Sequence, residues 1–227
     1  MPYSHFDENN GHKSFQLPGS RPHYNPDRPG QVEHISLDLT LDLPNQSFAG
    51  SCEIRLNPVR SGIDSLTLDA VNLDIRGVQI DGTSHKFNYD GELLHIPVKV
   101  DVVAGKVLDI VIDYGVDKPQ RGLYFIQPDE HYPHKPTQVW TQGEDEDSRF
   151  WFPCFDYPGQ LATSAIRVQV PKDFMAISNG ELVEQTAYGE DRVYQWMQKE
   201  IHPTYLMTLA VGRFSEIADS WNGKPVT

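Results

Sequence analysis

A chain of 227 residues is long enough for one large domain or two small ones, and a single β domain of this size buries a full core. Its 19 Lys and Arg stand against 32 Asp and Glu, a formal charge of -13, which argues against a nucleic-acid backbone or an anionic membrane as the main partner. The start, MPYSHFDENNGHKSF, has neither the basic nor the apolar region of a secretory signal, and no apolar run approaches the roughly 18 residues of a membrane helix, so a cytoplasmic protein is the default expectation.

Residues 1–30 are rich in Pro, His, Asn and Gly, and LPGSRPHYNPDRPG supports neither a helix nor a central strand. An extended arm is expected there, with the domain proper over 31–227. In ISLDLTLDL, Ile35, Leu37, Leu39, Leu41 and Leu43 alternate with Ser36, Asp38, Thr40 and Asp42, the period of a strand with one buried face. After the turn PNQS, Phe48, Cys52, Ile54 and Leu56 keep that phase, which predicts a hairpin. The signature recurs in SLTLDAVNLDIRGVQI, in KFNYDGELLHIPV with its Asp90-Gly91 turn, and in KVLDIVIDY. It continues through TQVWTQ, SAIRVQVP, RVYQWMQ and TYLMTLAVGRF, the last apolar enough for burial on both faces.

No segment has a convincing 3.6-residue period, so helices should be few and short, with one turn expected near 158–163. Short strands separated by turns predict an all-β fold, a sandwich or open barrel of mostly antiparallel strands. Trp140, Trp151, Trp196 and Trp221 all sit in or beside strand patterns and should pack. Cys52 and Cys154 are the two cysteines, each inside an apolar pattern, and read as free buried thiols rather than a disulfide framework. At the end, DSWNGKPVT has an Asn222-Gly223 hairpin turn with only four residues after it. That return strand reads as too short to pair properly, and the chain as a piece of a longer protein.

Most motifs that carry chemistry are missing from the sequence. HExxH, which places two imidazoles and a carboxylate on one helix face for zinc, does not occur, and His131 and His134 in HYPHK have the wrong spacing with a proline between them. G-x-S-x-G, a phosphate-cradling glycine loop and Cys-x-x-Cys are also missing. The exception is TQGEDEDSRFWFPCFDYPG, residues 141–159, where four consecutive acids, Glu144 to Asp147, abut Phe150, Trp151, Phe152, Phe155 and Tyr157. Like charges repel and stay in water, whereas large rings go inside; the pair describes a wall packed on one side and facing something positive on the other. Calcium is a poor fit, since the glycine and spaced ligands of an EF-hand loop are missing.

That stretch resembles the T-Q-x-E, Arg, F-P-C-x-D-x-P segment of the zinc aminopeptidases related to aminopeptidase N and leukotriene hydrolase. RGLYF at 121–125, AISNG at 176–180 and PTYLMTLAVGRF at 203–214 echo the same family in the same order. The resemblance implies a saddle-shaped, N-terminal β domain that packs on its own downstream thermolysin-like catalytic domain. This chain would carry no cofactor itself, the zinc lying in that catalytic domain. It also implies that Glu144 receives the free α-amine of a peptide substrate and that Gln142 lines the pocket for its first side chain. The aromatic residues would back the wall, Cys154 would be structural, and Arg149 would neutralise part of the acidic run. Two departures carry expectations of their own: Gly143, in place of a bulkier residue, widens or loosens the first-residue pocket, and Asp145 and Glu146 favour basic amino-terminal residues.

Two other readings stay open. Relatives of this fold include a large subunit of a transcription-initiation complex that lost its metal motif, so the domain can instead be a scaffold whose acidic surface is a docking face. The weaker reading is a free-standing β-sandwich that binds sugars or proteins.

Overall fold

The structure is a computed structural model that describes residues 28–98 and 102–226, so all but the last three positions of the expected arm lie outside the described residues. In chain order the strands are β1 (Gly30–Asp42), β2 (Ser47–Pro58), β3 (Ser65–Asp69), β4 (Asp74–Ile80), β5 (Thr83–Ser84), β6 (Asn88–Tyr89), β7 (Leu93–Pro97) and β8 (Leu108–Asp117). The second half adds β9 (Gly122–Ile126), β10 (Gln138–Gln142), β11 (Leu161–Pro171), β12 (Met175–Ser178), β13 (Glu181–Tyr188), β14 (Asp191–Pro203), β15 (Leu209–Gly212), β16 (Asp219–Trp221) and β17 (Lys224–Val226). Two single-turn 3-10 helices, Ser148–Phe150 and Thr204–Leu206, are the helical elements among the described residues.

β1 lies inside an open eight-stranded sheet ordered β13-β14-β11-β1-β2-β8-β4-β5. Every pairing in it is antiparallel except that of β1 with β11. Alternation explains the sheet's sidedness: Leu37, Leu39 and Leu41 are buried while Asp38 and Thr40 are exposed. A bulge between Val32 and His34 shifts the phase, which lets Val32 and Ile35, three apart, both be buried. Two smaller sheets, β12-β15-β10-β9 and β3-β7-β6, share one hydrophobic core with the large one. Leu39 and Ile54 of the large sheet join Leu66 and Ile96 of the three-stranded sheet and Val139 and Val211 of the four-stranded sheet in that core. The all-β, mostly antiparallel expectation holds, in its open form rather than as a closed barrel.

Several expectations need correction. The run SLTLDAVNLDIRGVQI divides into β3 and β4, which belong to different sheets. No helical turn forms over 158–163; a turn closed by the Gln160 N–H to the Tyr157 carbonyl at 2.9 Å leads straight into β11. TYLMTLAVGRF supplies only the four-residue β15, because Thr204–Leu206 winds into a 3-10 turn whose Thr204 hydroxyl is held by the Asp156 carboxylate. The final hairpin does pair, through Asp219 with Val226, Ser220 with Pro225 and Trp221 with Lys224. Trp151 is fully buried and Trp196 packs on the core, but Trp140 and Trp221 are 42% and 69% exposed. Cys52 and Cys154 are free and buried as expected, and burial pushes both thiols above their usual range.

Candidate functional site

Residues 143–160 carry the chain from β10, in the four-stranded sheet, to β11 in the large one. The aromatic part fills the space between: Trp151 and Phe152 are fully buried and meet edge to face with centroids 4.6 Å apart, a favoured ring geometry. Phe155 and Tyr157 are buried beside them. Backbone bonds fasten the crossing to the third sheet. Asp69 at the end of β3 exchanges two bonds with Cys154, of 2.8 and 3.0 Å, and the Val71 N–H donates to the Arg149 carbonyl at 2.8 Å.

The acidic part forms one turn, closed by the Asp147 N–H to the Gly143 carbonyl at 2.9 Å. The Glu144–Asp145 peptide bond is cis. The four acids then separate into two kinds. Asp147 is buried and paired with Arg121 through both oxygens, at 2.7 and 3.2 Å, while the Arg121 guanidinium lies over the Phe150 ring, 4.7 Å from its centroid. Glu146 accepts from Arg149 Nη2 at 2.9 Å. Glu144 and Asp145 are exposed and have no hydrogen bond or ion pair among the described residues.

Arg149 is the centre of this arrangement. Its Nε and backbone N–H both donate to Asp156 Oδ2, at 3.1 and 3.0 Å, its Nη2 also donates to the Asp156 carbonyl at 2.7 Å, and its Nη1 pairs with Asp69 at 3.3 Å. Burial works against the Arg149 cation, but Asp69, Asp156 and Glu146 outweigh it and hold the guanidinium above its usual range. The Asp156 side chain is 0% exposed. Burial raises its carboxyl above the ordinary value despite the opposing pull of Arg149 and of the Thr204 hydroxyl, which donates to Oδ1 at 2.9 Å. Arg149 therefore has the structural part expected of it, and engages two further carboxylates besides the acidic run.

Two glycines make the close packing possible. A Cβ on Gly143 would lie 2.6 Å from the Tyr205 carbonyl oxygen, and one on Gly122, whose φ is +75°, would lie 2.5 Å from the Asp147 carbonyl. The expected widening of a pocket at Gly143 is thus corrected: the space a side chain would fill is taken by the Tyr205 backbone. The expected acidity is also reduced, since Glu146 is committed to Arg149.

Gln142 is exposed at the end of β10, two residues before Glu144. It shares the outward face with Trp140, which stacks on Tyr124 of β9 at 4.7 Å and 22°. Thr141 has its hydroxyl oxygen accepting the Leu209 N–H at 2.9 Å, which fixes the strand end. The two sequence-predicted residues are therefore brought onto one short exposed stretch. Asp156, Arg121 and Thr204 were given no role by sequence reasoning. The available signal was Asp156 itself, a lone carboxylate inside an aromatic block that has to find a buried partner. His131 and His134 are exposed, as their loop reading requires.

The model of the Peptidase M1 N-terminal domain matches residues 21–206. The chain belongs to that family. Among curated relatives, this M1 N-terminal domain is 31% identical over 185 residues to "Probable aminopeptidase 1" of Saccharolobus solfataricus, covering 81% of this chain and 22% of that protein. It is 32% identical over 121 residues to "Transcription initiation factor TFIID subunit 2" of Danio rerio, covering 51% of this chain and 10% of that protein. Among solved structures, the M1 zinc metallopeptidase from Deinococcus radiodurans superposes with a TM-score of 0.71 at 21% identity, over 82% of this chain and 42% of the other. That likeness speaks for the fold. The M1 N-terminal domain described here thus spans about a fifth of the length of its aminopeptidase relative, 22%.

Proposed function

We propose that this chain is the N-terminal domain of a zinc aminopeptidase, in which Glu144 receives the free α-amine of a peptide substrate and Gln142 lines the pocket for its first side chain. The observation that supports this is the division of the acidic run. Glu146 and Asp147 are consumed by arginines of the chain, and the turn is pinned on both sides, yet Glu144 keeps an exposed carboxylate without a partner among the described residues. A fixed carboxylate that accepts hydrogen bonds from an ammonium contributes about 1.5–3 kcal/mol. Holding the terminus also sets where the first peptide bond falls, which is how an exopeptidase counts.

The partner in this reading is the protein's own downstream thermolysin-like domain, which completes the cleft and holds the zinc. Among the described residues no three or more His, Cys, Asp or Glu side chains group to hold a metal ion. These residues do not fit zinc, which in this reading belongs to the downstream domain. A cytoplasmic location belongs to the same reading, supported by two buried free thiols. Among the described residues no helix is long and apolar enough to cross a membrane.

The test is Glu144→Ala in the complete protein. We expect kcat/KM for peptide substrates to fall about tenfold or more, with zinc content unchanged; wild-type kinetics would remove the anchor. The likeness to TFIID subunit 2 favours a second reading, in which the domain is a scaffold module of an aminopeptidase-like protein without metal. Zinc content and peptide hydrolysis by the complete protein separate the two: both present select the enzyme, both missing select the scaffold.

A further inference from the structure

We propose that Asp156 is a positioning residue for Glu144, acting through Thr204 on one side of the acidic turn and through Arg149 on the other. The inference rests on the reading of Glu144 as the amine anchor. The two oxygens of one buried carboxylate reach the two supports of that turn. Oδ1 accepts from the Thr204 hydroxyl at 2.9 Å, and the next residue, Tyr205, has its backbone pressed against Gly143, immediately before Glu144. Oδ2 accepts from the Arg149 side chain and backbone at 3.1 and 3.0 Å, and Arg149 holds Glu146, two residues after Glu144, at 2.9 Å.

The Asp156 backbone N–H in turn donates to Asp69 Oδ2 at 3.0 Å, which anchors the whole device to the end of β3. A displacement of the Thr204–Leu206 turn therefore moves Gly143, and a rotation of Arg149 moves Glu146. Glu144 lies between them with no contact of its own to correct its position. Removing a buried ion pair in favour of apolar packing is often neutral for stability. What an apolar replacement does not reproduce is the simultaneous registration of the two supports. A misplacement of about 1 Å at an anchoring group is enough to reduce turnover by roughly a hundredfold.

The decisive experiment is a mutant cycle in the complete protein. Thr204→Val removes one hydrogen bond with little change of volume, Thr204→Ser retains the hydroxyl, and Asp156→Asn disturbs both supports. We expect Thr204→Val and Asp156→Asn to lower kcat/KM by about tenfold in the wild-type background and to have no further effect in a Glu144→Ala background, with Thr204→Ser near wild type. Additive losses in the Glu144→Ala background, or a Thr204→Ser variant as impaired as Thr204→Val, would overturn the proposal. A silent Glu144→Ala variant would instead remove the anchor reading. The positional claim has a separate readout, the hydrogen exchange of the Asp147 amide that closes the turn: Thr204→Val must accelerate it and Thr204→Ser must not. Unchanged exchange in Thr204→Val also overturns the proposal, and because that variant keeps the side-chain volume and leaves the Asp156–Arg149 pair in place, the outcome stands even if Asp156→Asn does not fold.

Discussion

The large sheet and the 143–157 crossing are neighbours in one core, but they are held in different ways. In the sheet, β1 with β2 and β8 repeats the same contact many times, an apolar residue inward and a polar one outward, and any one pair is supported by the next along the ladder. The crossing has no such repetition. Its backbone has a few turn bonds and the short bridge to Asp69, and the rest of its position comes from Arg121, Arg149 and Asp156. The difference teaches that a repeating ladder distributes support, whereas a hub concentrates it. The exposed carboxylate of Glu144 sits on the concentrated kind.

Arg149→Ala should have the largest effect on the hub. The change leaves the fully buried Asp156 carboxylate without its cation and frees Asp69 and Glu146, and breaking a buried pair by removing one partner costs about 3–5 kcal/mol. Denaturant unfolding should report that loss, and amide exchange should rise first over residues 143–157. Exchange that rises uniformly across the large sheet would mean the hub supports the whole fold. Leu39→Ala in β1 is the counterpart. Leu39 is fully buried, and such truncations cost about 2–5 kcal/mol. Here the loss should appear in global stability, with the Asp147 amide following the rest rather than leading it.

Gly143→Ala sharpens the contrast at smaller scale. The added methyl meets the Tyr205 backbone at 2.6 Å, and overpacking of this kind costs about 1–3 kcal/mol. Stability should fall by that amount with faster exchange at Asp147, and a neutral variant would show that the Thr204–Leu206 turn can yield.

The same contrast decides what was legible in the sequence. Alternation disclosed β1, β2 and β8 because one face of each is buried and the other wet, and this also gave the hairpin and the fold class. It did not disclose β13, whose eight residues are all exposed, since an edge strand without a buried face leaves no period to read. It misread 204–214 as one strand because the force that winds Thr204–Leu206 comes from Asp156, 48 positions away. At the site, Gln142 and Glu144 were legible only through a family motif. Of the ion pairs that distinguish Glu144 from Glu146 and Asp147, that of Arg121 with Asp147 spans 26 positions, which no local period encodes, while that of Arg149 with Glu146 is only three residues long and depends on the turn that brings the two side chains together.

The smallest effect separates the two regions by the sign of their response to pH. In the large sheet, His34 lies against β11 with Nδ1 2.7 Å from the Thr163 hydroxyl, whose own proton is donated to the Glu33 carbonyl at 3.0 Å. Nδ1 must therefore carry a hydrogen and donate. Burial lowers the His34 pKa from 6.5, with Arg55 adding to the effect and Glu53 opposing it. The unfolded chain then takes up the proton first, so the His34 contribution is complete above about pH 6.5 and is lost as pH falls through the lower folded value. Asp156 has the opposite sign: its pKa is raised from 3.8, so its contribution is complete below that value and is lost as pH rises through the folded one. His34→Gln should flatten the fall of the denaturation midpoint below about pH 6.5 and leave exchange at Asp147 unchanged. A slope that persists in the variant would assign the acid sensitivity to other groups, and a change at Asp147 would mean that the ladder and the hub are coupled.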